Sequence, residues 1–414
     1  MSANRTPRLP AAFNRLAWSN LAAQSAEQIG LAAAPLVAVL ALGAGAGETG
    51  LLQTMQTLPF LLLAIPAGLL ADRMSRRRLM AGAEALRAAS LTLILALAAC
   101  GGLSLTWLAL LGLIGACGTV AYSVAAPSLV PALVAPQALS AANARIELAR
   151  TVAFVAGPAL GGALVGWIGA PPAFGFAAAL SLSAAILLAG LSEPPRPALP
   201  PRRLLADLGE GAGFVLRHPL LLPVFLTQAI FNTAFFVLQA VYVPYAVHRL
   251  GLSPAGVGAT LATYGVGMVL GALCARRVIG ALPFGAVIAI GPVAGLAASL
   301  AMALTIRAPS AALAGLSFFL IGAGPILWVI STTTLRQAVT PERMLGRVSA
   351  IFLLATGTRP VGALIGALVG GVYGAETCLV VAAIGFLIQA AVILASPVPR
   401  LVRQPMVAST SAVT

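Results

Sequence analysis

The sequence contains no lysine, and its only histidines are His218 and His248. Without lysine there is no P-loop of the form G-x-x-x-x-G-K-[ST], so the chain cannot supply its own ATP hydrolysis. The two histidines fall at opposite ends of one apolar stretch. No HExxH or GxSxG pattern and no clustered acidic pair occurs, which argues against a membrane-embedded enzyme. Charge is equally scarce: charged residues make up 8% of the chain, against roughly 25% in a soluble domain. That is too little to coat a water-facing surface. The four cysteines (Cys100, Cys117, Cys274, Cys378) are scattered singly through apolar segments, so neither a metal site nor a disulfide framework is indicated. No cofactor is expected.

What is present is apolar surface, at 60% of residues. Residues 28–47, 49–71, 250–275, 278–306, 308–335 and 377–399 contain no Asp, Glu, Arg or His, and 88–144 and 151–192 form uncharged runs of 57 and 42 residues. A membrane helix needs about 20 apolar residues and a transmembrane strand roughly 9–11 of alternating polarity, so such runs mean helices. The fold class is therefore an all-α integral membrane protein. Twelve transmembrane helices are expected, at 13–42, 49–71, 79–100, 104–130, 141–167, 173–191, 220–247, 255–275, 284–305, 311–335, 347–371 and 377–396. The apolar stretch after Arg5, Arg8 and Arg15 runs to about Leu42. That is longer than a signal-peptide core of about 7–15 residues, and it is read as a retained first helix.

Arginine placement sets the expected orientation. Starting in the cytoplasm assigns 18 arginines to inside segments and only Arg249 and Arg307 to outside loops, with Arg87, Arg145, Arg150 and Arg359 inside spans. Positive residues stay inside, so both termini are expected in the cytoplasm. The net charge of +14 needs no nucleic acid, because arginines at helix ends meet an anionic inner leaflet.

The longest hydrophilic stretch, Ser192 to His218, begins Glu193-Pro194-Pro195-Arg196-Pro197 and continues into the amphipathic Arg202–Leu208. It reads as a linker followed by a helix lying along the inner membrane surface. The expected organisation is a six-helix bundle over 1–191, a cytoplasmic linker with an amphipathic helix over 192–218, a second six-helix bundle over 219–396 and a tail over 397–414. An internal repeat supports this division: Gly68 and Arg73 match Gly271 and Arg276 at an offset of 203, while Pro136, Gly157 and Gly161 match Pro341, Gly362 and Gly366 at 205. Two similar bundles around a central axis are the expected build of a rocking transporter.

The loop Gly68-Leu69-Leu70-Ala71-Asp72-Arg73-Met74-Ser75-Arg76-Arg77 resembles the loop signature of the major facilitator superfamily, with Ser75 in place of its second glycine. The resemblance implies the major facilitator fold, and a cytoplasmic gate formed by Gly68, Asp72, Arg73, Arg76 and Arg77. It places Asp72 to meet a helix amino terminus or an arginine. Gly157-Pro158-Ala159-Leu160-Gly161-Gly162 is similar to the span-five Gly-Pro motif of superfamily exporters, with Ala153 where the longer motif has glycine. Here Pro158 frees a carbonyl, and Gly161 admits a neighbouring helix. Together with Pro127-Ser128-Leu129-Val130-Pro131 and Ala142-Asn143, the pattern resembles the exporter branch that contains the enterobactin exporter and macrolide efflux proteins. One departure matters. Many drug–proton antiporters carry an arginine in span four, and residues 104–130 contain none.

Ionisable groups at membrane depth are functional candidates by default. Glu27 lies mid-span one on a polar stripe with Asn20, Gln24 and Gln28, and in the superfamily fold this helix lines the central cavity. It is the expected proton acceptor, with Arg359 beside the helix break Thr358-Arg359-Pro360 as its counter-charge. Glu84 and Arg87, at i and i+3 in span three, are expected to pair with each other structurally. Span seven offers Gln228, Asn232, Gln239 and Tyr242, and span ten Trp328, as lining for a mostly apolar ligand. The functional expectation is a secondary active transporter of the cytoplasmic membrane that exports a drug- or siderophore-sized amphipathic molecule in exchange for protons. It is expected to act as a monomer in the lipid bilayer. Import, transport of an amphipathic lipid, or a non-transporting receptor would fit the same residues.

Overall fold

The computed structural model describes residues 10–63, 66–67, 70, 74–135, 138–193 and 204–405. Among these the chain is helical throughout and contains no strand. The long helices are α1 (Ala11–Leu40), α2 (Ala46–Leu62), α3 (Arg76–Ala99), α4 (Leu105–Leu133), α5 (Leu139–Ile168) and α6 (Ala170–Ala189). After the linker come α7 (Leu204–Arg217), α8 (Leu221–His248), α9 (Pro254–Ala281), α10 (Phe284–Leu304), α11 (Ala311–Val339), α12 (Leu345–Thr356) and α13 (Arg359–Ala395). Among the described residues ten stretches are long and apolar enough to cross a membrane. The last of these, Leu345–Ala395, contains two expected spans, and the 17-residue α2 lies within the expected second span.

Short polar residues start several of these helices. Ser75, Ser104, Ser253 and Ser310 precede α3, α4, α9 and α11, and each hydroxyl accepts from the backbone N–H three residues on. Such caps satisfy donors that would otherwise be orphaned. Spans eleven and twelve depart from two separate helices. The first is broken after Thr356, where Gly357 and Thr358 precede Pro360 in the first turn of α13. The second follows with no loop, because Gly374 adopts φ 82° and turns the chain in a single residue. Only glycine reaches that backbone region without a steric cost.

The chain divides into two compact units, Met1–Gly43 with Met55–Leu199 and Ala44–Thr54 with Pro200–Thr414. In the first, α1 packs on α5 and α6, and α3 on α4 and α6. In the second, α8 packs on α13, while α9 and α10 both pack on α11. Two placements differ from a contiguous reading. The first half of α2 falls in the second unit, where Gly47 lies against Gly371. The linker helix α7 also belongs there, and its apolar face is turned to protein: Val215 is fully buried and Gly211 lies on the Arg347 carbonyl. Arg347 ties α7 to α12 through Asp207 at 2.7 Å and through Glu210.

Large apolar side chains remain exposed along the spans, among them Leu273 at 71%, Leu368 at 63% and Ile186 at 63%. Patches of this extent suit lipid, not water.

Candidate functional site

In the first unit, close packing of α1 on α5 rests on the Gly-Pro segment. A Cβ on Gly157 would lie 2.4 Å from Gln28 Cβ, and one on Gly161 3.0 Å from the Ile29 carbonyl. On α1 the polar stripe is held from several sides. Asn20 is buried, donates to the Ile146 carbonyl at 3.3 Å and accepts from the Tyr122 hydroxyl. Gln24 is half-buried beside it. Glu27 is 20% exposed, with Arg87 Nη2 3.9 Å from its Oε2.

Arg87 is the centre of this cluster. Its guanidinium meets Glu84 Oε1 at 2.9 Å, donates to the Ala23 carbonyl at 3.1 Å and reaches Thr119 Oγ1 at 2.6 Å. Glu84 is fully buried, and Ser181 Oγ donates to its Oε2 at 2.6 Å. The expected Glu84–Arg87 pair therefore exists, but it is not self-contained. Glu27 thus meets a guanidinium from α3, that of Arg87. Although span four has no arginine of its own, a guanidinium reaches it through Thr119. One cation thus lies between two carboxylates inside the bundle, where the low dielectric strengthens its attraction to both.

Arg359 lies in the second unit. Its Nε donates to Asn232 Oδ1 at 3.2 Å and its guanidinium sits 5.5 Å from the Phe236 ring centroid. Gln228 donates to the Phe352 carbonyl and to Thr356 Oγ1, so two members of the α8 polar stripe brace the broken span at its hinge. Gln239 is half-buried. Tyr242 and Trp328, also expected as lining, are buried in this structure. Tyr242 is fully buried, bonds Thr260 and packs edge-on against Phe318 at 4.6 Å. Trp328 is buried in an apolar cluster with Leu335 and Phe352. Helical spacing put both on the polar stripe, but a neighbouring helix covers each.

Of the expected gate, Gly68, Asp72 and Arg73 lie outside the described residues. Arg76 and Arg77 open α3, where among the described residues Glu193 meets the helix terminus. Its carboxylate accepts from Ser75 Oγ at 2.6 Å and from the Arg76 and Arg77 backbone N–H groups at 3.2 Å. Arg77 Nη1 closes the junction on the Leu191 carbonyl at 2.9 Å. A carboxylate on several orphan donors at a positive helix end is a strong local anchor. Sequence reasoning assigned Glu193 only to a proline-rich linker. The available signal was an acid directly after span six, facing a basic helix start. Pro158 and Gly162 lie in α5, within the turns that carry Gly157 and Gly161. Among the described residues no group of His, Cys, Asp and Glu could hold a metal ion.

Outside the spans, His218 lies in the turn just before α8. Its Nδ1 accepts from the N–H groups of Leu220 and Leu221 at 3.2 and 3.3 Å, and burial holds the imidazole below its ordinary range.

Long apolar helices carrying a few buried charges, with glycine-mediated seams in both units, define a polytopic membrane protein of the transporter class. The chain belongs to the Major Facilitator Superfamily, whose match spans residues 16–367. An uncharacterized MFS-type transporter, y4rN, of Sinorhizobium fredii (strain NBRC 101917 / NGR234) is 33% identical over 114 residues, which is 28% of this chain and 28% of the relative's length. Among solved structures, a POT family transporter in complex with 5-aminolevulinic acid matches with a TM-score of 0.75 at 13% identity, over 95% of this chain and 97% of that one. A bacterial homolog of the human lysosomal transporter Spinster, inward-facing and unoccupied, matches with a TM-score of 0.72 at 16% identity, over 95% and 98%. At these identities the likeness is one of fold.

Proposed function

We propose that this transporter exports a small amphipathic molecule across the cytoplasmic membrane by alternating access of two six-helix bundles, in exchange for protons. Both termini would lie in the cytoplasm, and the protein would act as a monomer. The observation that carries the reading is Glu27, a partly exposed carboxylate within a membrane-spanning helix, 3.9 Å from a buried arginine already paired to Glu84. A carboxyl in that setting can take a proton on one side and give it up when the cluster rearranges. Asn20 and Gln24 on α1, with Gln228, Asn232 and Gln239 on α8, would supply polar contacts to the substrate. Export is supported by the Gly157-Pro158 segment and by the resemblance of the surrounding pattern to the exporter branch.

The test is proton flux in inside-out vesicles carrying wild type or Glu27→Gln, challenged with hydrophobic cations, macrolides and siderophores. Proton release from the lumen on substrate addition, absent in the variant, is the expected result. Unchanged exchange in Glu27→Gln would remove Glu27 from the coupling step.

A further inference from the structure

One end of the second unit concentrates positive charge that no acid meets among the described residues. Arg276 and Arg277 lie near the end of α9, and Leu282-Pro283 turns the chain directly into α10. The segment after α13 returns to the same place. The Phe284 and Gly285 N–H groups donate to the carbonyls of Val402 and Leu401 at 3.2 and 2.8 Å. Close approach of Val398 requires a glycine there, since a Cβ on Gly285 would lie 2.2 Å from its carbonyl oxygen. This backbone clasp fixes Arg400 and Arg403 beside the α9–α10 turn.

All four arginines are exposed, and among the described residues none makes an ion pair or a side-chain hydrogen bond. No Asp or Glu occurs in residues 211–341 or 377–414, so the nearby sequence offers no neutralising partner. Deeper along α9, Leu270 and Leu273 are 45% and 71% exposed. Positions 270, 273 and 277 share a helix face, so Arg277 crowns an apolar strip that faces outward.

We propose that this end of the molecule is a binding site for an anionic phospholipid. The phosphate sits among Arg276, Arg277, Arg400 and Arg403, and an acyl chain lies along Leu270 and Leu273. Guanidinium groups suit phosphate through paired N–H donors, and a basic site beside spanning helices is the form in which anionic headgroups are held. The apolar strip selects a lipid over a soluble phosphate, because only a lipid fills both halves. The proposal is independent of substrate and coupling, since it uses no residue of the Glu27 cluster.

The experiment is lipid titration of the purified full-length protein in detergent, read by native mass spectrometry. Its probes are phosphatidylglycerol, phosphatidylcholine and water-soluble glycerol phosphate. Wild type should bind phosphatidylglycerol at least tenfold more tightly than phosphatidylcholine, with glycerol phosphate weaker still. The pairs Arg276→Gln/Arg277→Gln and Arg400→Gln/Arg403→Gln should each lower that affinity, by roughly fivefold per arginine. Arg217→Gln, an exposed arginine elsewhere in the unit, should leave it unchanged. Monodisperse elution of each variant checks that the fold is intact, and the two pairs sit on different elements, so one can report if the other fails. Equal binding of the two lipids would overturn the site. So would an equal loss in Arg217→Gln, which marks diffuse attraction, or glycerol phosphate binding as tightly as the lipid.

Discussion

In the first unit α5 lies on α1 through Gly157 and Gly161; in the second, α13 lies on α8 through Gly362 and Gly366. The paired glycines repeat at an offset of 205, and so do their contacts, since Gly157 meets Gln28 and Gly362 meets Thr233. The same offset carries Glu27 onto Asn232. At matching places on matching helices, one half bears a carboxylate beside a buried arginine and the other an amide beside Arg359. Duplication thus preserved the close packing of helices while the polar chemistry diverged. The first unit holds charges that must move or stay paired. The second holds amides and a row of rings in which Phe235 stacks on Phe231 and Tyr264 at 5.8 and 6.0 Å.

The difference is sharpest at the two arginines. Arg87→Gln leaves the fully buried Glu84 without its cation, so it should destabilise the protein by about 3–5 kcal/mol, as loss of one partner of a buried pair does. Arg359→Gln removes, among its interactions, a bond to a neutral amide and a ring contact, each worth about 1 kcal/mol, and should cost less than Arg87→Gln. Thermal unfolding of both in the same detergent measures the gap. Adding Glu84→Gln should restore most of the Arg87→Gln loss, and equal melting of the two single variants would erase the distinction between the halves.

The shared seam offers the next test. A Cβ at residue 362 would stand 2.1 Å from the Thr233 backbone oxygen, whereas at 157 it meets a side-chain carbon at 2.4 Å. Backbone yields less than a side chain. Gly362→Ala should therefore cost up to about 3 kcal/mol and Gly157→Ala nearer 1 kcal/mol, within the usual range of overpacking. Size-exclusion profiles against temperature would rank them, and the reverse order would show that the α1–α5 seam is the stiffer one.

The smallest expected effect belongs to a device found in the second unit, the neutral His218 just before α8. Because burial favours the uncharged ring when folded, the unfolded chain binds the proton more readily. Its contribution is complete above the ordinary value of 6.5 and is lost as pH falls through that value and past the folded one. Wild type should lose ~1–2 °C of melting temperature between pH 7.5 and 5.5 beyond any loss in His218→Gln. Parallel curves for the two proteins would remove the cap from the account.

Much of this was readable in advance because lipid imposes simple rules. Long uncharged runs placed the spans, and Thr358-Arg359-Pro360 marked the break between α12 and α13. Tertiary partnerships were harder to read. Glu84 and Arg87 looked complete as an i, i+3 pair, and nothing local shows that Arg87 also reaches Ala23, Thr119 and the neighbourhood of Glu27. Tyr242 fell on the polar face by spacing alone, while its hydroxyl partner Thr260 belongs to the next helix. Glu193 was hidden by its prolines, because backbone rules for a linker say nothing of where its first side chain points.

The turn at Gly374 has a consequence for how the chain enters the membrane during synthesis. With one residue between the two spans of α13, there is no slack to deliver them separately. They must cross as a hairpin. Its first arm begins with the permanent cation of Arg359, a residue type that costs about 2.5–3.5 kcal/mol at a helix centre and less towards its end. The second arm, uncharged from 377 to 399, supplies the apolar counterweight, so an uncharged arm helps carry Arg359 into the bilayer.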